Sequence, residues 1–241
     1  MNITDIVNDK VNRLATGYVF TYADFDIPVN KGGALNKALN GMVKEGKIRK
    51  LSKGRFYKPR YTEFGELKPD IYQVVKDLLE RDGKIKGYLT GYSTFNQLGL
   101  TTQVPAIIQI GANEVKKGLK RGMFQIRFIK QANRITKENI PLLRILDAIQ
   151  YIKEIPDSSV ELSCKKLMDL IGTLSARERE QLAGLALKYK PATRALAGAI
   201  LEIKNGPEKA ESILKSLNPV SQYKFNISTD ILPNKQKWNI V

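Results

Sequence analysis

Apolar residues recur at helical spacing from the start of the chain. Ile6, Val7, Val11 and Leu14 follow Thr4, which can cap a first helix, and Gly17 is placed to close it. A short extended piece, Tyr18 to Thr21, leads to a brief helix that Thr21 can cap, carrying Ala23, Phe25 and Ile27 until Pro28 stops it. Next, Leu35, Ala38, Leu39, Met42 and Val43 form one apolar stripe, while Asn36, Asn40 and Lys44 align on another face with Lys37 beside them, and Gly46 ends the helix. Two runs, Ile48 to Leu51 and Arg55 to Lys58, flank Ser52-Lys53-Gly54, a three-residue hairpin loop with glycine at its last position. Each run mixes apolar and basic residues on both faces, so the hairpin has to lean on a neighbouring element to bury Ile48, Leu51 and Phe56. Helix, short helix, helix and β-hairpin in this order predict a winged helix-turn-helix, whose third helix would enter a major groove.

Beyond residue 60 the pattern changes. "TEFGELKPD" is a connection containing glycine and proline, and Pro69 is placed in the first turn of a helix carrying Ile71, Val74, Val75, Leu78 and Leu79 that ends near Gly83. This junction predicts two domains, residues 1–62 and 63–241. In the second, "GYSTFNQLGL" predicts a short helix ended by Gly99, "AIIQIG" a buried strand, and "MFQIRFIKQ" a strand with Phe124, Ile126 and Phe128 inward. Strands therefore occupy about residues 84–130, helices about 138–217, and residues 218–241 form a polar tail carrying Trp238 that can dock on the body or on a partner. The expected class is α+β: an N-terminal winged helix-turn-helix followed by a larger, mainly helical α+β domain.

Composition narrows the chemistry. With 241 residues, 42% of them hydrophobic, the chain can bury the cores of two domains. The N-terminus is mixed and acidic and no apolar run is long enough to span a bilayer, so the expected location is the cytoplasm, with no membrane partner. There is no histidine and one cysteine, Cys164, which lies in an apolar-periodic stretch and reads as a packing residue. The usual serine and cysteine triads and structural zinc sites are thereby excluded, and no metal or cofactor is expected. The net charge is +16, and residues 46–60 alone carry seven cations and no acid. Such an excess calls for a polyanionic partner, usually nucleic acid.

On the predicted elements, Lys31, Asn36, Lys37, Asn40 and Lys44 lie on the groove helix, where an asparagine amide can pair with adenine and a lysine can reach guanine. Lys47, Arg49, Lys50, Lys53, Arg55, Lys58 and Arg60 would follow the flanking phosphates. Lys116, Lys117, Lys120 and Arg121 form a second basic patch, which either extends the duplex footprint, meets an acidic protein or is simply a solvated turn. The Glu-x-Lys pairs Glu45/Lys47, Glu66/Lys68 and Glu202/Lys204 lack the strand context a magnesium-dependent nuclease requires, and no phosphate-cradling glycine motif is present. No enzyme is expected; a nuclease stays the least favoured alternative.

The segments "GYVFTYADF", "ALNKALNGMVKEGKIRKLSKGRFYKPR", "GELKPD" and above all "TFNQLGLTTQVPAIIQI" resemble the AbiEi-type antitoxins of bacterial type IV toxin-antitoxin and abortive-infection systems. The resemblance spans roughly residues 10–200, and "LGLTTQVP" is its most specific part because winged helices are shared by unrelated regulators. It implies an N-terminal winged helix that binds an inverted repeat in its own promoter and represses the operon, and a C-terminal domain that neutralises a nucleotidyltransferase-like toxin; an inverted repeat in turn calls for a dimer on the DNA. By position, DNA binding would fall on Lys31, Asn36, Lys37 and Asn40 and on wing residues Arg49, Lys53 and Arg55. A DNA-binding regulator without a toxin partner is the alternative, and the tail after about residue 205 matches no family pattern.

Overall fold

The structure is a computed structural model that describes residues 2–103 and 106–241, and its fold is α+β. Residues Met1–Leu78 together with Leu119–Gln125 make one compact unit, and Leu79–Gly118 with Ile126–Val241 make a second. The first unit thus extends past the junction expected at residue 62. The reason lies in its last helix, described below.

In the first unit, α1 (Ile3–Arg13) is capped by Asn2, whose side chain accepts from the Thr4 N–H, so Thr4 is not the cap. The helix stops at Arg13 rather than near Gly17, which instead donates its N–H to the Lys58 carbonyl at 2.7 Å. Strand β1 (Val19–Thr21) follows. The Thr21 N–H and hydroxyl both donate to the Asp24 carboxylate, at 2.6 and 3.0 Å, and turn the chain into a 3-10 helix over Tyr22–Asp24. A second 3-10 turn, Val29–Lys31, leads into α2 (Gly32–Lys44). Gly46, at φ 76°, donates to the Val43 carbonyl while Lys47 donates to Met42, a paired closure that needs the left-handed backbone glycine tolerates.

Strands β2 (Arg49–Ser52) and β3 (Arg55–Tyr57) form the expected hairpin, and β1 joins it in a three-stranded antiparallel sheet of order β1-β3-β2. Ser52 pairs with Arg55, so the loop is the two residues Lys53-Gly54 and not three. The register shifts between Lys50 and Ser52, leaving Leu51 as the extra residue of a bulge. That bulge resolves the imperfect alternation: Ile48 and Phe56 enter the core with Val7, Val11, Phe20, Phe25, Leu35, Leu39 and Met42, while Leu51 is buried outside that cluster, close to Gly122. Phe20 stacks on Phe56 with ring centroids 6.0 Å apart.

The stretch expected as a plain connection is itself a hairpin, β4 (Arg60–Thr62) with β5 (Gly65–Leu67). Helix α3 (Ile71–Leu79) then starts on Asp70, whose carboxylate accepts the Tyr72 N–H at 2.8 Å, so Pro69 precedes the helix instead of opening it. It is tied to the sheet. Lys76 Nζ lies 3.6 Å from the Tyr18 ring centroid, and Asp77 accepts from Arg55 at 2.7 Å and from both Arg121 terminal nitrogens at 2.5 and 2.8 Å. Arg121, 4% exposed, also donates to the Val74 carbonyl. Burial alone would raise the Asp77 carboxyl; the Arg121 and Arg55 bonds outweigh it and hold the group below its ordinary value.

The second unit opens with the small hairpin β6 (Glu80–Arg81) and β7 (Lys84–Ile85), then β8 (Tyr88–Thr90) and α4 (Tyr92–Phe95). After β9 (Ile107–Ala112) the chain runs through β10 (Leu119–Arg121) and β11 (Phe124–Lys130), whose residues up to Gln125 count with the first unit. Within the second unit the sheet order is β11-β9-β8. Five helices complete it: α5 (Ile140–Gln150), α6 (Val160–Thr173), α7 (Ala176–Ala186), α8 (Pro191–Asn205) and α9 (Glu211–Lys215). Their apolar stripes bury one core that includes Leu146, Cys164, Leu167, Leu182, Leu196 and Ile200, with Cys164 fully enclosed as a packing residue.

The tail docks on this body. Trp238 is 1% exposed and lies across Gly198 of α8, where an added Cβ would come within 2.2 Å of its ring. Glu202, one turn further along α8, accepts the Trp238 indole N–H at 2.6 Å, the Asn234 amide at 2.8 Å and the Lys237 ammonium.

Two measurements test these ties. Gly198→Ala should displace the indole and lower stability, on the order of the 3–5 kcal/mol lost when a large buried aromatic is removed; the fluorescence of Trp238, the only tryptophan in the chain, should shift in native buffer and during urea unfolding. Asp77 has a lowered folded-state pKa, so its contribution is full above the unfolded carboxylate pKa and is lost as pH falls through the folded value. Asp77→Asn should destabilise by about 1–3 kcal/mol at neutral pH, less than for a fully buried pair because Asp77 is 41% exposed. Thermal melts between pH 7 and pH 3 should show the gap to the parent chain narrowing on acidification.

Candidate nucleic-acid interface

The apolar stripe of α2 turns inward, which fixes what its other face presents. Lys31, Asn36, Lys37 and Lys44 are exposed and Asn40 is half-buried. At the start of this helix Val29 is 98% exposed, and Cβ atoms added at Gly32 and Gly33 would meet nothing, so the N-terminal end of α2 is open. On the hairpin, Lys50 and Lys53 are exposed. Among the ion pairs of the described residues, none involves Lys31, Lys37, Lys44, Lys50 or Lys53.

Of the other cations expected at phosphates, Arg49, Arg55, Lys47 and Lys58 are engaged within the molecule. Arg49 donates to Glu66 at 2.9 Å, to the Tyr61 hydroxyl at 2.9 Å and to the Gly46 carbonyl at 2.9 Å. Glu66 also accepts from Tyr57 at 3.0 Å, and burial together with that carboxylate pushes the Tyr57 phenol up to about 12. Arg55 is held by Asp77, Lys47 pairs with Glu45 at 2.8 Å, and Lys58 donates to the Asn12 and Leu14 carbonyls where α1 ends. Arg60 is exposed. Arg49 and Arg55 therefore hold the unit together, and the exposed charge falls to lysines and Arg60.

The residues of the second basic patch divide between the two units. Arg121 is internal, Lys120 is exposed in the first unit, and Lys116 and Lys117 are exposed in the second. The three Glu-x-Lys glutamates are also placed: Glu45 binds Lys47, Glu66 binds Arg49, and Glu202 anchors the tail. Among the described residues no group of three or more His, Cys, Asp or Glu side chains could hold a metal ion, and no helix is long and apolar enough to cross a membrane.

Two features escaped the sequence reading. Tyr22 donates its hydroxyl to Asn36 Oδ1 at 2.9 Å, and Asn40 Nδ2 donates to the same oxygen at 2.9 Å, so the two asparagines and the tyrosine are one hydrogen-bonded group. The i, i+4 spacing of Asn36 and Asn40 signalled the second contact; nothing local signalled the first. In the second unit, Asp147 is buried on α5 and accepts from Tyr88 at 2.6 Å, Thr90 at 2.5 Å and Tyr189 at 2.7 Å, while Gln131 donates to both tyrosine hydroxyls at 2.8 Å. Burial raises the Asp147 carboxyl, and the three hydroxyl donors oppose that rise. The cluster backs onto a cleft of about 330 Å³ edged by Lys130, Lys188 and Lys190. Both carboxylate oxygens and both tyrosine hydroxyls are partnered, so the cluster serves as a polar cross-link between β8, α5 and the loop before α8.

No curated protein matches the sequence. Among solved structures, the crystal structure of the RV2827C protein from Mycobacterium tuberculosis has a similar fold, with a TM-score of 0.60 at 14% sequence identity over 98% of this chain and 89% of that one. Residues 6–181 match the model of a family of unknown function, DUF6088. That match covers most of the chain, which belongs to the DUF6088 family.

Proposed function

We propose that the first unit is a winged helix-turn-helix that binds duplex DNA, with α2 in the major groove and the β2–β3 hairpin as its wing. The observation that carries this reading is the set of five exposed lysines without ion pairs, Lys31, Lys37 and Lys44 on α2 and Lys50 and Lys53 on the hairpin. Each lysine that meets a phosphate releases counterions, so affinity falls steeply with salt. Phosphate contacts set register and orientation, and an amide of the Asn36–Asn40 pair supplies base contact. Arg49 and Arg55 act inside the unit rather than on the DNA.

We further propose, from the resemblance to AbiEi-type antitoxins, that the chain represses its own operon and that its second unit neutralises a nucleotidyltransferase-like toxin in a type IV system. The segment "LGLTTQVP" carries most of this resemblance; its Val104 and Pro105 lie outside the described residues. Two copies on an inverted repeat would match a two-fold operator.

Gel-shift titrations against the chain's own upstream DNA over a salt series test the DNA reading. Lys37→Gln and Lys53→Gln should each weaken binding to all duplexes and reduce the salt slope by about 1, whereas Arg55→Gln should lower melting temperature without changing the slope. Affinity indifferent to both sequence and salt would overturn the repressor role. For the antitoxin role, co-expression with an adjacent nucleotidyltransferase-like gene should restore growth; continued growth arrest would leave a regulator with no toxin partner.

A further inference from the structure

Asn36 and Asn40 look equivalent on a helical wheel, yet their surroundings are not. Asn36 Oδ1 already accepts two hydrogen bonds, from the Tyr22 hydroxyl and from Asn40 Nδ2, each at 2.9 Å. A carbonyl oxygen has two acceptor sites, so this one is full. Bidentate pairing with adenine requires one amide to accept from N6–H and donate to N7 at once. Asn36 cannot do that without giving up one of those bonds. Asn40 can: among the described residues its Oδ1 takes no bond, and Nδ2 keeps one hydrogen beyond the one given to Asn36.

What holds Asn36 is itself held. The Tyr22 ring meets Phe56 edge-on with centroids 5.8 Å apart, and a Cβ added at Gly54 in the hairpin turn would lie 3.4 Å from Tyr22 Cε2. The phenol is therefore packed between a core aromatic and the turn, leaving its hydroxyl aimed at α2. Asn36 is exposed and Asn40 half-buried; without the two bonds both amides would sample several rotamers. A held amide loses less freedom on meeting a base.

We propose that Tyr22, Asn36 and Asn40 form a relay in which Asn40 is the adenine-reading side chain and Tyr22 and Asn36 are positioning residues that fix its amide. The relay also links the hairpin turn to the reading face, since Gly54 and Phe56 are what set the tyrosine. It rests on the duplex-binding reading above.

The test uses the full chain and a duplex library with a randomised centre about two helical turns long, from which the parent protein selects its preferred sequence. Affinity is then compared for the selected duplex and for duplexes with single adenines replaced. Asn40→Ala should lose about ten- to a hundred-fold of discrimination at one adenine. Tyr22→Phe keeps the ring packing and removes only the hydroxyl, and it should lower discrimination at that same adenine several-fold, as should Asn36→Ala. Asn36→Asp keeps the acceptor oxygens, so it should retain the discrimination of the parent even as its added charge weakens binding to every duplex. Melting temperatures of the variants guard against loss of fold. If the parent binds no duplex, the DNA reading itself fails. If the parent selects a sequence and Asn40→Ala keeps full discrimination at every adenine, or Tyr22→Phe changes nothing, the relay is overturned while DNA binding stands.

Discussion

A single carboxylate decides how charge is shared in the first unit. Asp77 on α3 receives Arg55 from β3 and both terminal nitrogens of Arg121, so two guanidiniums converge on one acid. Arg121 is almost fully buried and could not stay so without that partner, because an unpaired buried charge costs several kcal/mol. This convergence draws α3 and the segment Leu119–Gln125 into the first unit, and it is why that unit does not end at residue 62. Glu66 acts likewise on the other flank of the hairpin, with Arg49 and Tyr57 as its donors.

The consequence is a division of labour between the two basic residue types. Arg49, Arg55 and Arg121 are held by carboxylates, Arg121 buried and the other two half-buried, whereas Lys31, Lys37, Lys44, Lys50 and Lys53 are exposed without ion pairs among the described residues. Physical chemistry favours that sorting. The guanidinium fork matches a carboxylate in two places and is weakly hydrated, so it tolerates burial, while an ammonium is strongly hydrated and stays in water on a flexible stem. The same logic in the second unit gives Glu202 to an indole and an amide, which anchor the tail, with the ammonium of Lys237 at the outer edge.

The helices of both units were legible because their apolar stripes repeat over several turns; α2 and α5 through α8 follow from Leu35–Leu39–Met42 and comparable series. Short elements were harder. The β4–β5 hairpin has exposed strands, so no alternation marks it, and a bulge at Leu51 breaks the period that strand recognition relies on. The charge of the hairpin was plain in the sequence, but its neutralisation was not: Glu66 lies 17 residues from Arg49 and Asp77 lies 22 from Arg55, distances at which no local pattern speaks. Tyr22 was hidden for the same reason, being 14 residues from Asn36. Asp147 offered a weak hint, an acid inside an otherwise apolar helix, and such a residue needs donors that only the fold can reveal.

What remains after the internal pairs are formed is a concentration of like charge with no internal answer. Residues 1–60 carry twelve basic and five acidic side chains, and the structure spends its acids on arginines more than on lysines. Like charges gathered on one helix and one turn repel, which costs stability and keeps the surface soluble. Salt screens part of that cost, and a polyanionic partner would relieve more of it. The five lysines are spread over two elements, and the proposed duplex partner would meet them with a backbone charge about every 1.7 Å along its axis. On the proposed reading the Tyr22–Asn36–Asn40 group leaves a donor and an acceptor side by side on Asn40, a pair that suits the edge of a base better than an ionised carboxylate, which has no hydrogen to give.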